Sequence, residues 1–186
     1  MNNLNVNKYK FQILAAILII LNFLIYCRAL PAYFVADDFF YILNRNNLYY
    51  YSPLTEFFYQ PITFAVYALN YFWAGVNPSN YHLFSIILNA INILILFLIF
   101  ERLIKNTTSA FYICLISSVY YFSADNMLWI NCTNNLICAF FYFLTILMSI
   151  KYNENPRKSS LVLMLIFLNL ALYSREMGVS IFLILL

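Results

Sequence analysis

The sequence predicts an all-α polytopic bundle of transmembrane helices, and three observations carry that expectation. Hydrophobic residues make up 65% of the 186 positions and charged residues only 9%, with a mean hydropathy of +0.79. A water-soluble domain carries about 25% charged residues to cover its surface. The apolar residues come in unbroken runs near the roughly 20 residues that a helix needs to cross a bilayer. Only two glycines and five prolines punctuate the chain, whereas a membrane β-barrel needs alternating segments of about ten residues parted by turn signals. A soluble enzyme, a nucleic-acid binder and a disordered tail are excluded by this composition.

Lys8 and Lys10 precede the first apolar run, 11–30, which is long enough to span. A cleaved signal peptide is the rival reading, but the run exceeds the usual apolar region and Arg28 stands where a small-residue cleavage site belongs. Further spans are expected at about 83–100, 108–124, 134–150 and 159–173, with an incomplete one at 178–186. Nine residues from Gly178 to Leu186 make only about 13 Å of helix, so the reading expects further spans beyond Leu186. The polar breaks between spans hold most of the charge. If Pro31 to Asn80 does not cross, then Lys8, Lys10, Arg102, Lys105, Lys151, Arg157 and Lys158 share one side, and Arg28, Arg45 and Arg175 the other. The positive-inside rule then places the amino terminus in the cytoplasm of a multi-pass protein of the plasma (inner) membrane.

That topology makes 31–80 a large first extracytoplasmic loop. Pro61 can open a helix in which Ile62, Val66, Leu69 and Trp73 recur at helical spacing, with Thr63 and Asn70 off the stripe. Such a helix lies in the membrane interface, because counting it as a span would reverse every later loop and put the basic ones outside. The loop's aromatics, among them Tyr33, Tyr41, Tyr49, Tyr50, Tyr51 and Trp73, read as an interfacial belt; stacking on sugar faces is the alternative.

Few residues can do chemistry. There is one histidine, His82, and no nucleophile elbow, HExxH or phosphate-binding glycine loop. The four cysteines, Cys27, Cys114, Cys132 and Cys138, lie in or beside apolar runs and read as apolar fillers. Asn131-Cys132-Thr133 fits the glycosylation acceptor pattern, which also arises by chance. What remains is a set of acids that the topology gathers on one face: Asp37 and Asp38 after the first span, Asp125 after the third, Glu176 after the fifth. Carboxylates there can hold a divalent cation or take a proton from an attacking hydroxyl, and otherwise are solvated loop charge. Adjacent acids inside Val35-Ala36-Asp37-Asp38-Phe39-Phe40 are costly in apolar company, which favours function.

Ala36-Asp37-Asp38-Phe39-Phe40-Tyr41 after a first span, Tyr59-Gln60-Pro61-Ile62, and Asn77-Pro78-Ser79-Asn80-Tyr81-His82-Leu83 leading to Asn89 follow one another in a recognisable order. With Asp125-Asn126-Met127-Leu128-Trp129-Ile130 and Ser174-Arg175-Glu176-Met177, this order resembles the amino-terminal part of a GT-C fold glycosyltransferase. The similarity is to the protein O-mannosyltransferase and bacterial lipid-linked-sugar transferase branch, and it makes 1–186 the amino-terminal part of one transmembrane glycosyltransferase domain. Gln60 replaces a common arginine, Arg175 a commoner lysine, and Ser123-Ala124 a frequent His-Pro.

The resemblance implies transfer of a sugar from a polyprenyl-phosphate donor to an acceptor hydroxyl on a protein, glycan or lipid at the outer membrane face. It implies Asp37 as general base, with Asp38 and Asp125 assisting or holding a divalent ion such as Mg or Mn; the residues alone leave the order within the Asp pair open. Arg175 would neutralise the departing phosphate, and His82 and Glu176 would orient the substrate. A transporter or flippase half is the alternative, although it would carry ionisable residues deep in its spans or Gly/Pro-broken helices. A non-catalytic membrane scaffold is the third reading, in which Asp37 and Asp38 are dispensable.

Overall fold

The structure, a computed structural model, describes residues 2–39, 60–120 and 122–185. Among them there are helices and no strand, so the all-α expectation holds. In chain order these are α1 (Asn2–Tyr26), α2 (Pro61–Ala74), α3 (Pro78–Ile104), α4 (Thr107–Val119), α5 (Phe122–Leu128), α6 (Thr133–Glu154), α7 (Lys158–Leu172) and α8 (Phe182–Leu185). Short 3-10 turns occupy Cys27–Ala29, Ile130–Cys132 and Glu176–Ile181. Three stretches, Tyr9–Ala29, Pro78–Ile104 and Ile130–Glu154, are long and apolar enough to cross a membrane.

Helix α3 is the post around which the others stand, touching α1, α2, α4, α5 and α6. It starts at Pro78, earlier than the apolar run suggests, because Pro78 fits a first helical position and the Asn77 side chain accepts from Ser79 N–H at 3.1 Å. It ends at Lys105 in the left-handed region, with φ 55°. Two contacts fix its direction against α6. Ser85 and Thr133 share a hydrogen bond of 2.7 Å at one end, and Arg102 donates to Glu154 at 2.6 Å at the other. The two helices therefore run the same way. Helix α1 runs against them, since Asn22 donates to the Ile86 carbonyl at 3.0 Å while Phe11 stacks on Phe97. Lys10, Arg102, Lys105, Lys151, Arg157 and Lys158 thus collect at one end of the bundle, with Arg28 and Arg175 at the other, in the grouping that charge alone suggested. Arg45 lies outside the described residues.

The third expected span, 108–124, is broken. Helix α4 stops at Val119, where Tyr120 turns extended with ψ 133°, and the Tyr26 hydroxyl takes the Ser118 carbonyl at 2.7 Å. A separate helix, α5, then begins at Phe122. The expected last span is likewise a 3-10 turn, Glu176–Ile181, before the short α8. Gly178 explains the tight path: a Cβ there would sit 2.7 Å from the Ala171 carbonyl oxygen, so the turn packs against α7 where only glycine fits.

Polarity is inverted relative to a soluble bundle. His82, Ser85, Asn89 and Asn92, at spacings of three, four and three, form a buried polar stripe along α3. Asn89 donates to the Asn22 oxygen at 2.6 Å, and Asn92 to the Leu136 carbonyl at 2.9 Å. Meanwhile Ile13, Ile20, Leu24, Ile116, Val162 and Ile166 are exposed. Inter-helix hydrogen bonds inside and aliphatic side chains outside suit a lipid surround, where the apolar face needs no burial against protein.

Candidate functional site

The expected acidic residues fall at the end of the bundle away from the lysine-rich one. After α1 the chain turns at Ala36, a non-glycine residue with φ 47°. The turn is closed twice: Asp38 N–H donates to the Val35 carbonyl, and Val35 N–H donates to Asp38 Oδ2, both at 3.0 Å. The other carboxylate oxygen, Oδ1, accepts from Asn131 N–H at 2.7 Å. Asp38 is fully buried, and burial pushes its pKa above the ordinary 3.8, while the N–H groups of Val35, Asn131 and Ile130 and the His82 ring pull it back. Asp37 beside it is exposed and carries no side-chain hydrogen bond among the described residues. The pair is therefore divided: one carboxylate builds the turn and the other stands free in water.

His82 is wholly buried, with Nδ1 on the Met127 carbonyl at 2.8 Å. The ring is held by the protein, and it lies within electrostatic reach of Asp38. Asp125 is exposed and lies with Arg175 on a cleft of about 450 Å³, whose other walls include Asn135, Cys138, Ala139 and Phe143. Arg175 donates to the Asn134 side chain at 2.9 Å, and no carboxylate among the described residues pairs with it. Its charge is thus oriented but not neutralised, which is the condition for taking an anion. Glu176 is occupied with Gln60, whose amide donates to it at 3.2 Å, and is turned toward α2 rather than into that cleft.

The tripeptide Ser174-Arg175-Glu176 ties three elements together. Thr63 of α2 donates to the Ser174 carbonyl at 2.8 Å, Arg175 reaches α6, and Glu176 reaches Gln60. The sequence reading missed Asn134 and Tyr67. Tyr67 was legible as a member of the polar stripe Thr63, Tyr67, Asn70 on an apolar helix; Asn134 carried no signal beyond opening an apolar run. Tyr33 and Trp73 are exposed, as an interfacial belt requires; Tyr41, Tyr49, Tyr50 and Tyr51 lie outside the described residues. Of the cysteines, Cys114 and Cys138 are buried and Cys27 and Cys132 half-buried, all four free. The acceptor tripeptide at Asn131 is closed to modification in this fold, because Thr133 is buried and its hydroxyl is shared with Ser85.

The expected metal between Asp38 and Asp125 does not find a donor set. Each Asp38 oxygen already faces a backbone N–H, and no group of three His, Cys, Asp or Glu side chains able to hold an ion forms among the described residues.

A helix bundle with polar seams inside, aliphatic faces outside and a charged cleft at one end defines an integral membrane protein. The family model of dolichyl-phosphate-mannose-protein mannosyltransferases matches residues 60–186, and the chain belongs to that family, a group of GT-C type membrane glycosyltransferases. The match covers the cleft and begins after the Asp37 loop. Comparison with curated proteins and with solved structures found no match.

Proposed function

We propose that the protein transfers a sugar, mannose by family, from a polyprenyl-phosphate carrier to an acceptor hydroxyl, at the end of the bundle that holds Asp37, Asp125 and Arg175. The observation that carries this reading is the Arg175 cleft. It offers an unneutralised guanidinium held by Asn134, a carboxylate and amides that can accept sugar hydroxyls, and a wall of Ala139 and Phe143 suited to a prenyl chain. In the reaction the acceptor oxygen attacks the anomeric carbon as its proton passes to the Asp37 carboxylate. The bond from that carbon to the phosphate oxygen breaks, and the leaving phosphate keeps the electron pair beside Arg175. Asp38 holds the turn that carries Asp37. With the lysine-rich end in the cytoplasm by the positive-inside rule, the cleft opens on the outer face of the cell membrane.

Membranes containing the full-length protein and labelled polyprenyl-phosphate mannose test this. Asp37→Asn, at equal expression, should lower incorporation of mannose into membrane material by about 10²- to 10⁴-fold, the usual contribution of a general base. Unchanged incorporation would remove Asp37 from the mechanism. Absence of transfer by the wild type across a panel of lipid-linked sugars would favour a transporter or scaffold.

A further inference from the structure

The segment from Met127 to Asn131 is gripped from three elements. His82 of α3 donates from Nδ1 to the Met127 carbonyl at 2.8 Å, and the Tyr67 hydroxyl of α2 is aimed at the Ile130 and Asn131 carbonyls, each at 2.9 Å. From the first loop, Asp38 accepts the Asn131 N–H. A carbonyl can only accept, so Nδ1 of His82 carries the hydrogen of that bond. The other ring nitrogen, Nε2, is buried and has no partner among the described residues. An unpaired buried polar atom is destabilising, and an apolar side chain would avoid it; what the imidazole adds is the bond to Met127. The gripped segment also joins the two halves of the site. Asp125 and Cys132, just before and just after it, line the Arg175 cleft, and Asp38, bonded to Asn131, adjoins Asp37.

We infer that His82 and Tyr67 are positioning residues, which hold this segment where it sets the Asp37 loop against the Arg175 cleft, and that neither touches substrate. The inference rests on reading the cleft as the sugar-donor site. Misplacing reacting groups by about 1 Å can cost 10²-fold in rate, so the segment need shift only slightly for the loss to be large.

The test uses the full-length protein in membranes, with labelled polyprenyl-phosphate mannose. His82→Ala and Tyr67→Phe should each lower kcat by about ten- to a hundredfold with little change in donor KM, the pattern of lost alignment rather than lost binding. His82→Asn places an N–H donor where Nδ1 stands and should recover most of the rate; His82→Gln places it at Nε2 and should not. The double variant His82→Ala/Tyr67→Phe should be little slower than the worse single one, because both act through one segment. Rescue by Gln and not Asn, a loss confined to KM, or multiplied losses would each overturn the inference.

A second readout needs no transfer. The alkylation rate of Cys132 by a maleimide, followed by mass spectrometry, should change in His82→Ala and return in His82→Asn. An unchanged rate in His82→Ala overturns positioning whatever the enzyme does. A changed and rescued rate in a protein that transfers no mannose supports positioning and sinks the donor-site reading.

Discussion

Asp38 is a carboxylate removed from water and held by two backbone N–H groups, one from its own turn and one from Asn131. Loss of buried hydrogen bonds to a charged acceptor costs about 1.5–3 kcal/mol each. Asp38→Ala should therefore lower the unfolding midpoint, whereas Asp37→Asn should leave it unchanged, and a thermal-shift measurement in detergent separates the two roles. The pH dependence has a definite sign. Because burial raises the folded pKa of Asp38 above the ordinary 3.8, its contribution to stability is complete below 3.8 and is lost as pH rises through the raised folded value. As pH falls through that raised value toward 3.8, wild type should gain stability from this residue, and Asp38→Ala should lack that gain when the two midpoints are compared. Gly178 gives a second test: the Cβ of Gly178→Ala would meet the Ala171 carbonyl at 2.7 Å. That should cost about 1–3 kcal/mol, the usual range for overpacking, read as a lowered midpoint. The sequence singled out both aspartates, yet it did not distinguish them, because adjacent identical side chains differ only in which way the turn at Ala36 sends them.

At the scale of elements, α2 is instructive. Its start at Pro61 and its helical period were legible, and so was the apolar stripe through Leu69 and Trp73. Only the second half of the stripe faces outward, with Leu69 70% exposed and Trp73 53%; Ile62 and Val66 pack half-buried against the core, and Thr63, Tyr67, Asn70 and Ala74 turn inward. The buried face donates to carbonyls that lie outside the α-helices, at Ser174 and at Ile130. Substitution should therefore behave opposite to a soluble amphipathic helix. Thr63→Val, which removes a hydrogen bond from the inner face, should destabilise by about 1 kcal/mol, and Leu69→Ser on the outer face should change the detergent midpoint far less. Denaturation of the two variants in one detergent checks this. The break in the expected third span was not legible, because the Tyr26 hydroxyl that takes the Ser118 carbonyl comes from a residue 92 positions away.

For the whole molecule, the distribution of charge carries the topology. The structure brings the basic ends of α1, α3, α6 and α7 together and leaves Arg175 at the opposite end, and we propose, on the positive-inside rule, that the first group is cytoplasmic. Single cysteines in a chain whose four native cysteines are replaced test the orientation in intact cells. Val76→Cys, on an exposed position beside α2, should react with an impermeant maleimide, and Arg157→Cys, at the basic end, should react only after permeabilisation. The reverse pattern would place the cleft inside the cell.

By itself the sequence determined the helical class, the membrane setting, the helix that opens at Pro61 and most of the polar residues gathered at that end of the bundle. These follow from composition, run length and local spacing, which act within a turn or two of helix. Only the tertiary structure decided that Asp38 is buried and Asp37 free, that Arg175 is oriented by Asn134, and that His82 grips a backbone carbonyl 45 residues away. Each of those outcomes depends on a hydrogen-bond partner supplied by another element. A partner of that kind is chosen by packing, and the pattern of side chains along one helix does not contain it.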